Sequence, residues 1–205
     1  MRLVSFIYFV SLVYIIFCIC KKDKYNDTGV KGICYFDIDG TLTTSQQDQN
    51  DLVKQCLDNN FAVGIVTASG RTIDHICDGN KPIVPWMPSK ICEQFNKNNG
   101  KMYNSLRVLA GTSLYKEIPK DYPVNSSPGY IKGYSMTYGR DKFYPNVPDK
   151  CVVLFDDQPS FLEGVKKFNP KLETQCANTD CGLKGPLSSK IVLNKIRKMQ
   201  SNGCI

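Results

Sequence analysis

The stretch ICYFDIDGTLTT, residues 33–44, decides the fold of this chain. An apolar run leads into two carboxylates, Asp37 and Asp39, and the residues Gly-Thr follow directly. Successive side chains of a strand alternate between its two faces, so residues two apart point the same way. Two carboxylates that lie so close repel each other unless a positive charge lies between them. The stretch therefore predicts a strand that ends where a cation is needed.

A β-hairpin is the alternative for this stretch, because Asp-Gly between apolar residues is a strong signal for a two-residue turn. A hairpin requires a second strand immediately after the turn. The apolar residues that follow, within 52–57, recur instead at helical spacing. We therefore interpret the segment as a strand, an acidic turn and a helix.

Two other apolar runs also end in polar side chains. Residues 61–66 precede the segment Thr-Ala-Ser at 67–69, and residues 152–155 precede Asp156 and Asp157. Continuous apolar character is typical of strands that are buried on both faces of a parallel sheet. Pro159 suits the first turn of a helix behind the second acidic pair.

The remaining elements continue the alternation of strands and helices. Strands are predicted at 105–111 and 172–176, and helices at 71–78, 89–98 and 188–199. The stretch from Pro119 to Gly129 has three prolines and is predicted to be a loop. The alternation predicts an α/β fold with a parallel sheet and helices on both faces.

Length and composition are those of one ordinary globular domain. The chain has 205 residues, of which 42% are hydrophobic and 22% are charged. The net charge is +7, but the basic residues form no stripe interleaved with aromatic residues, so nucleic acid binding is not expected. A mildly basic surface also suits an anionic substrate.

The first twenty residues differ from the rest of the chain. They contain one charge, at position 2, and then eighteen residues without any, which is typical of a signal peptide or a signal anchor. Cys18 and Cys20 are small enough for a cleavage site, so we favour a cleaved leader. Residues 3–20 are also long enough to anchor the chain in a membrane, which is the alternative. The folded domain is expected within 21–205.

Cysteine usage indicates an oxidising compartment. Eight cysteines remain after the leader, an even number. Cys176 and Cys181 form the most local pair and are the preferred disulfide. Cys34 and Cys151 lie inside apolar runs and are expected to be small core residues. Zinc is disfavoured because His75 is the only histidine.

Two glycosylation sequons, at 26–28 and 125–127, agree with that compartment. The leader, the cysteines and the sequons together predict a secreted or lumenal protein.

Polar residues follow three of the predicted strands and should meet at one edge of the sheet. In open α/β sheets the ligand lies beyond the carboxyl ends of the strands. Asp37, Asp39, Asp156 and Asp157 would converge there with the hydroxyls of 67–69. Four carboxylates in one crevice repel by several kcal/mol at low dielectric, which implies a hard divalent cation. Mg²⁺ prefers a few carboxylates together with waters and phosphate oxygens.

These segments resemble motifs of the haloacid dehalogenase (HAD) superfamily of Mg-dependent phosphotransferases. DIDGTLTT at 37–44 resembles motif I, whose pattern is D-x-D-G-T-L-T. VGIVTAS at 63–69 resembles motif II, an apolar strand that ends in Thr or Ser. FDDQPSFLEGV at 155–165 is similar to motif IV of the phosphoglucomutase-like branch. The resemblance covers residues 32–168.

The superfamily also has a motif III lysine about 25 residues before the motif IV pair. Lys132 precedes Asp157 by 25 residues. It is followed by Gly where the family has Pro, and the segment behind it has poor helical periodicity. Lys142 and Lys120 are therefore alternatives.

The resemblance implies a role for each matched residue. Asp37 would be the nucleophile that accepts the phosphoryl group, and Asp39 would be the general acid and base. Lys132 would orient Asp37 and neutralise phosphoryl charge. Asp37, Asp156 and Asp157 would hold Mg²⁺ together with the backbone carbonyl of Asp39.

Motif II would form the substrate side of the site. Thr67 would hydrogen-bond the transferring phosphoryl group, and Ala68 and Ser69 would bind the substrate beside it. Arg71 lies two residues beyond this motif and could contact the substrate, although an exposed arginine at the start of a helix is the favoured interpretation.

The room for a cap domain is small. About twenty residues separate motif I from the next strand, and 72–131 is the only candidate for a lid or insertion. A nearly capless site is an open crevice, which in this family favours larger or macromolecular phosphorylated substrates.

The sequence thus predicts a Mg-dependent phosphomonoester phosphatase of the secretory pathway. A catalytically inactive HAD-like binding domain is one alternative, because fold does not imply function. A phosphomutase is another, although that chemistry needs a cap that excludes water. A membrane partner is expected only if the leader is not cleaved.

Overall fold

The computed structural model describes residues 29–42, 49–68, 123, 126–177, 181 and 187–204. Four strands lie in these ranges: β1 (Gly32–Phe36), β2 (Phe61–Ile65), β3 (Val152–Asp156) and β4 (Glu173–Cys176). The α-helices there are α1 (Gln49–Asp58), α2 (Pro128–Phe143), α3 (Pro159–Phe168) and α4 (Ser189–Ser201). Between them lie the turn Ile38–Leu42, in which Asp39 and Gly40 have non-helical backbone angles, and the short 3₁₀ turn Asp149–Cys151.

Several sequence predictions fall on other parts of the chain. The leader at 1–20, the helices at 71–78 and 89–98 and the strand at 105–111 lie outside the described residues. The same holds for most of the lid candidate at 72–131. None of the described helices is both long and apolar enough to cross a bilayer.

The four strands form one parallel sheet in the order β2-β1-β3-β4. In the register, Cys34 of β1 lies between Val63 of β2 and Val153 of β3. All residues of β1, β2 and β3 are buried, whereas those of the edge strand β4 are half-buried. The predicted α/β fold with a parallel sheet is confirmed, and the apolar runs are its buried strands.

Helices cover both faces of this sheet. Cys34 forms a disulfide with Cys56 of α1, while the hydroxyl of Tyr35 donates to the carbonyl of Met136 in α2. Neighbouring residues of a strand point to opposite faces, so α1 and α2 lie on opposite sides. The helix α4 packs against α1, and α3 packs against α2.

The helix α2 begins within a stretch that the sequence predicts to be a loop. The loop prediction for 119–129 is wrong at its end, because Pro128 is already in the first turn of the helix. Proline suits that turn, since its missing N–H would have no partner there. The hydroxyl of Ser127 caps the helix by accepting from the backbone N–H of Tyr130.

The poor helical periodicity of α2 follows from its contacts on several sides. A Cβ at Gly129 or Gly133 would overlap atoms of α3, at Phe161 and Phe168 respectively. Gly164 of α3 lies against Gly129 in the same way. A helix that is packed on more than one side does not need a single apolar stripe.

Three disulfides link the described cysteines. Cys176–Cys181 is formed as predicted. Cys34 and Cys151 are buried core residues as expected, but they also form disulfides, Cys34 with Cys56 and Cys151 with Cys204, which the sequence did not predict. Their partners lie 22 and 53 residues away in the sequence, and the fold brings the Cα atoms to 6.5 and 5.5 Å. An apolar neighbourhood indicates burial and carries no information on pairing between distant elements.

Candidate functional site

A cluster of polar residues lies at the carboxyl ends of the three buried strands. Asp37 follows β1 directly, Thr67 lies just beyond β2, and Asp156 and Asp157 lie at the end of β3. Lys132 joins them from α2. All five residues are buried. Because the strands are parallel, their carboxyl ends meet at one edge, where ligands of open α/β sheets bind.

Lys132 is the cation of this cluster. Its Nζ lies 2.9 Å from Oδ1 of Asp37 and 2.5 Å from Oδ2 of Asp156. The same Nζ lies 4.4 Å from the centroid of the Phe161 ring. The lysine is only 1% exposed, and a charge buried that deeply requires partners of opposite sign. The fold thus joins residues that are 95 and 24 positions apart in the sequence.

Three carboxylates face this single cation. Asp37, Asp156 and Asp157 each offer an oxygen, and these oxygens lie within 4.8 Å of one another. Burial raises the pKa of Asp37 to about 6, although Lys132 lowers it in part and Asp156 raises it again. Burial likewise raises the pKa of Asp156, against the opposing influence of Lys132. The attraction of Lys132 therefore does not offset the effect of burial on the pKa of these two carboxylates.

The donor set fits a hard divalent cation. Three buried carboxylates with converging oxygens are the ligand type that Mg²⁺ and Ca²⁺ prefer, and Mg²⁺ uses few of them. Burial raises the pKa of Asp37 and the neighbouring Asp156 raises it further, and a bound cation would favour the ionised form against both effects.

Asp157 is held differently from the other two carboxylates. Its Oδ2 accepts a hydrogen bond from Nε2 of Gln158 at 2.8 Å, and its Oδ1 lies 3.5 Å from the hydroxyl of Thr41. Gly40 lies against the same carboxylate, and a Cβ there would overlap it. Gly40 also has a φ of 79°, a conformation that glycine adopts without strain.

The two carboxylates of the first acidic pair differ in exposure. Asp37 is buried, whereas Asp39 is exposed. The difference arises because β1 ends at Phe36 and the chain then enters a turn, in which Asp39 has extended backbone angles before the positive φ of Gly40. The acidic cluster contains the side chain of Asp37 and not that of Asp39. The resemblance assigns to Asp39 only a backbone carbonyl as a metal ligand.

The other predicted site residues have varied positions. Ala68 is exposed beside the buried Thr67. Ser69, Arg71 and Lys120 lie outside the described residues. Lys142 belongs to the last turn of α2, ten residues beyond Lys132 and so roughly 15 Å further along the helix axis.

Sequence reasoning missed three residues that contact the cluster. Gln158 and Thr41 contact Asp157, and Phe161 contacts Lys132. All three residues lie inside the quoted motifs, which is the signal that could have indicated them. Nothing in the sequence pattern indicates that the Phe161 ring faces a lysine from another helix.

Comparisons with known proteins add no relative. No family model, no curated protein and no solved structure matches this chain. The resemblance to the HAD superfamily therefore rests on the motif residues quoted above.

Proposed function

We propose that this chain is a Mg²⁺-dependent phosphomonoester phosphatase of the HAD type that acts through an aspartyl phosphate on Asp37. The observation that carries the proposal is the buried contact of Lys132 with Asp37 and Asp156, beside Asp157. These are the residues to which the motif resemblance assigns the nucleophile, the cation and the metal ligands.

A purely structural role accounts poorly for this cluster. Buried ion pairs contribute little to stability, because desolvation offsets their attraction. Here one lysine faces three carboxylates, and burial raises the pKa of two of them. Groups with pKa values shifted in this way concentrate at functional sites. This arrangement is unfavourable in the folded protein without a bound cation, but it suits the binding of a cation and a phosphoryl group.

Asp37 would act in two chemical steps. Its carboxylate attacks phosphorus, the bond from phosphorus to the leaving oxygen breaks, and Asp39 donates a proton to that oxygen. A water then attacks the phosphorus of the phosphorylated Asp37, Asp39 takes one proton of that water, and the bond from phosphorus to the Asp37 oxygen breaks, which releases phosphate and restores the carboxylate. Covalent catalysis of this kind replaces one difficult displacement by two easier ones. The exposed position of Asp39 suits a group that must meet both leaving group and water.

The other residues would prepare these steps. Lys132 favours the ionised form of Asp37, because its charge opposes the effect of burial on the pKa of that residue. Thr67, buried at the end of β2, would hydrogen-bond the phosphoryl oxygens. The carboxylates of Asp37, Asp156 and Asp157 would hold Mg²⁺, which when bound neutralises charge on the transferring group.

The compartment and substrate class belong to the same proposal. Three disulfides in the described part of the chain agree with a secreted or lumenal protein. We propose phosphomonoesters as the substrates, including phosphorylated macromolecules.

A chromogenic phosphatase assay tests this function. The protein should hydrolyse p-nitrophenyl phosphate with Mg²⁺ and lose this activity with excess chelator. Asp37→Asn should abolish turnover, whereas Asp58→Asn, an exposed carboxylate at the end of α1, should leave it unchanged. Binding of Mg²⁺ and phosphate without any turnover would instead support an inactive binding domain.

A further inference from the structure

Gln158 contacts two carboxylates of the acidic cluster at once. Its backbone N–H donates to Oδ1 of Asp156 at 2.9 Å, and its side-chain Nε2 donates to Oδ2 of Asp157 at 2.8 Å. It is also the residue that precedes the first turn of α3.

The side chain of Gln158 does not cap the helix that it precedes. At this position Ser, Thr, Asp and Asn are preferred, because their short side chains accept from the first free backbone N–H groups. Gln158 makes no such capping bond, and its amide donates to Asp157 instead. A residue that breaks a local rule in this way commonly serves a site.

The position of the Asp157 carboxylate depends on Gln158 more than the positions of Asp37 and Asp156 do. Lys132 contacts Asp37 and Asp156, whereas among the described residues the side-chain hydrogen-bond donors to Asp157 are Gln158 and, at the long distance of 3.5 Å, Thr41. A carboxylate has about four acceptor positions, so a single good hydrogen bond leaves Asp157 able to bind a cation.

We propose that Gln158 is a positioning residue that sets the affinity of the cluster for Mg²⁺. It holds the Asp157 carboxylate toward Asp37 and Asp156, so that the carboxylate does not turn to solvent before the cation arrives. Outer hydrogen-bond partners of metal ligands typically change metal affinity 10- to 100-fold when they are removed. This inference rests on the metal site of the proposed function and concerns a residue to which the motif resemblance gives no role.

The test compares two substitutions of glutamine by methionine. Gln158→Met keeps the length of the side chain and removes the donor, and the exposed position makes a folding defect unexpected. Gln200→Met is the matched control, since Gln200 lies in α4 and, within the part of the chain that the structure describes, its side-chain amide donates to Asn59 at 3.5 Å and not to the cluster. Calorimetric titration of Mg²⁺ into the metal-free, disulfide-bonded full chain gives the Kd of each variant.

We expect a Kd about 10- to 100-fold higher for Gln158→Met and an unchanged Kd for Gln200→Met. The Mg²⁺ concentration for half-maximal activity should rise by the same factor, with kcat restored at saturating Mg²⁺. Equal Kd values for wild type and Gln158→Met would refute the positioning role and leave the phosphatase proposal standing. A raised KM for the ester with an unchanged Mg²⁺ Kd would also refute it. No Mg²⁺ binding by the wild type would overturn both proposals.

Discussion

Substitution of Lys132 by methionine removes the cation of the cluster and keeps a side chain of similar length. Lys132 is 1% exposed and lies 2.9 and 2.5 Å from two buried carboxylates. Removal of one partner of a buried ion pair typically lowers the free energy of unfolding by about 3–5 kcal/mol, because the remaining charge is buried without compensation. We expect a loss of that size at neutral pH without Mg²⁺.

The loss of unfolding free energy in Lys132→Met should be smaller at low pH than at neutral pH. Lys132 lowers the pKa of both Asp37 and Asp156, so its removal raises both values further. The pKa of Asp37 is already raised to about 6 with Lys132 present, so at about pH 5 Asp37 would be largely protonated in the variant and less unpaired charge would remain buried. The difference in unfolding free energy between this variant and wild type should therefore become smaller as the pH falls. Mg²⁺ should shrink it as well, because a divalent cation replaces the missing positive charge.

Urea unfolding at about pH 7 and about pH 5, with and without Mg²⁺, measures these differences. Lys54→Met is the control, because Lys54 pairs with Asp58 on the exposed surface of α1 and should change stability little. Turnover by Lys132→Met should fall about 10²–10³-fold even at saturating Mg²⁺. An equal stability loss for both variants, or a loss that does not change with pH, would refute the role given to Lys132. Greater damage to activity by Lys142→Ala than by Lys132→Ala would show that the motif III lysine is misassigned.

Three other predictions follow from the same structure. With Asp39→Asn, the first step on a phenolic ester, measured as the initial burst of phenol, should stay close to the wild-type rate, whereas the first step on an alkyl ester should slow about 10²–10⁴-fold, because only the alkoxide leaving group needs a proton; equal slowing of this step for both esters would contradict the role of Asp39. In metal-free protein, Asp37 should stabilise the fold most at pH values below its ordinary pKa of 3.8, because its pKa is raised in the folded state. This contribution to the free energy of unfolding should be lost progressively as the pH rises through about 6. The difference in unfolding free energy between wild type and Asp37→Asn across this range isolates that effect, and a difference that is constant with pH would exclude it. Replacement of Cys34 and Cys56 together by alanine opens a 22-residue loop that contains the whole acidic turn, and should lower stability by about 3 kcal/mol in thermal unfolding. No change in midpoint would mean that this disulfide does not constrain the unfolded chain.

The sheet could be predicted from the sequence because its strands are buried on both faces. Residues 33–36, 61–66 and 152–155 are apolar without interruption, and each ends in polar residues at the edge where a ligand would bind. The residues of the acidic cluster could be predicted for the same reason, since strand ends determine which side chains converge.

The contacts between distant helices could not be predicted in this way. The Cys34–Cys56 disulfide depends on how α1 lies over the sheet, and the contact of Lys132 with Phe161 depends on how closely α2 approaches α3. That approach requires glycines at 129 and 164, which the periodicity of a single helix does not indicate. The start of α2 was missed because prolines near 128 are typical of loops and of first helical turns alike.

The most direct test of the central claim is to identify the atom that receives the phosphoryl group. Asp39→Asn should accumulate the phosphorylated enzyme with a phenolic ester and Mg²⁺, because the first step needs no acid and the second has lost its base. After acid quenching, borohydride reduces an aspartyl phosphate to homoserine, which peptide mass spectrometry locates. The account predicts homoserine at position 37 and none in the variant that also carries Asp37→Asn. Turnover without modification of Asp37, or modification at another carboxylate, would contradict it.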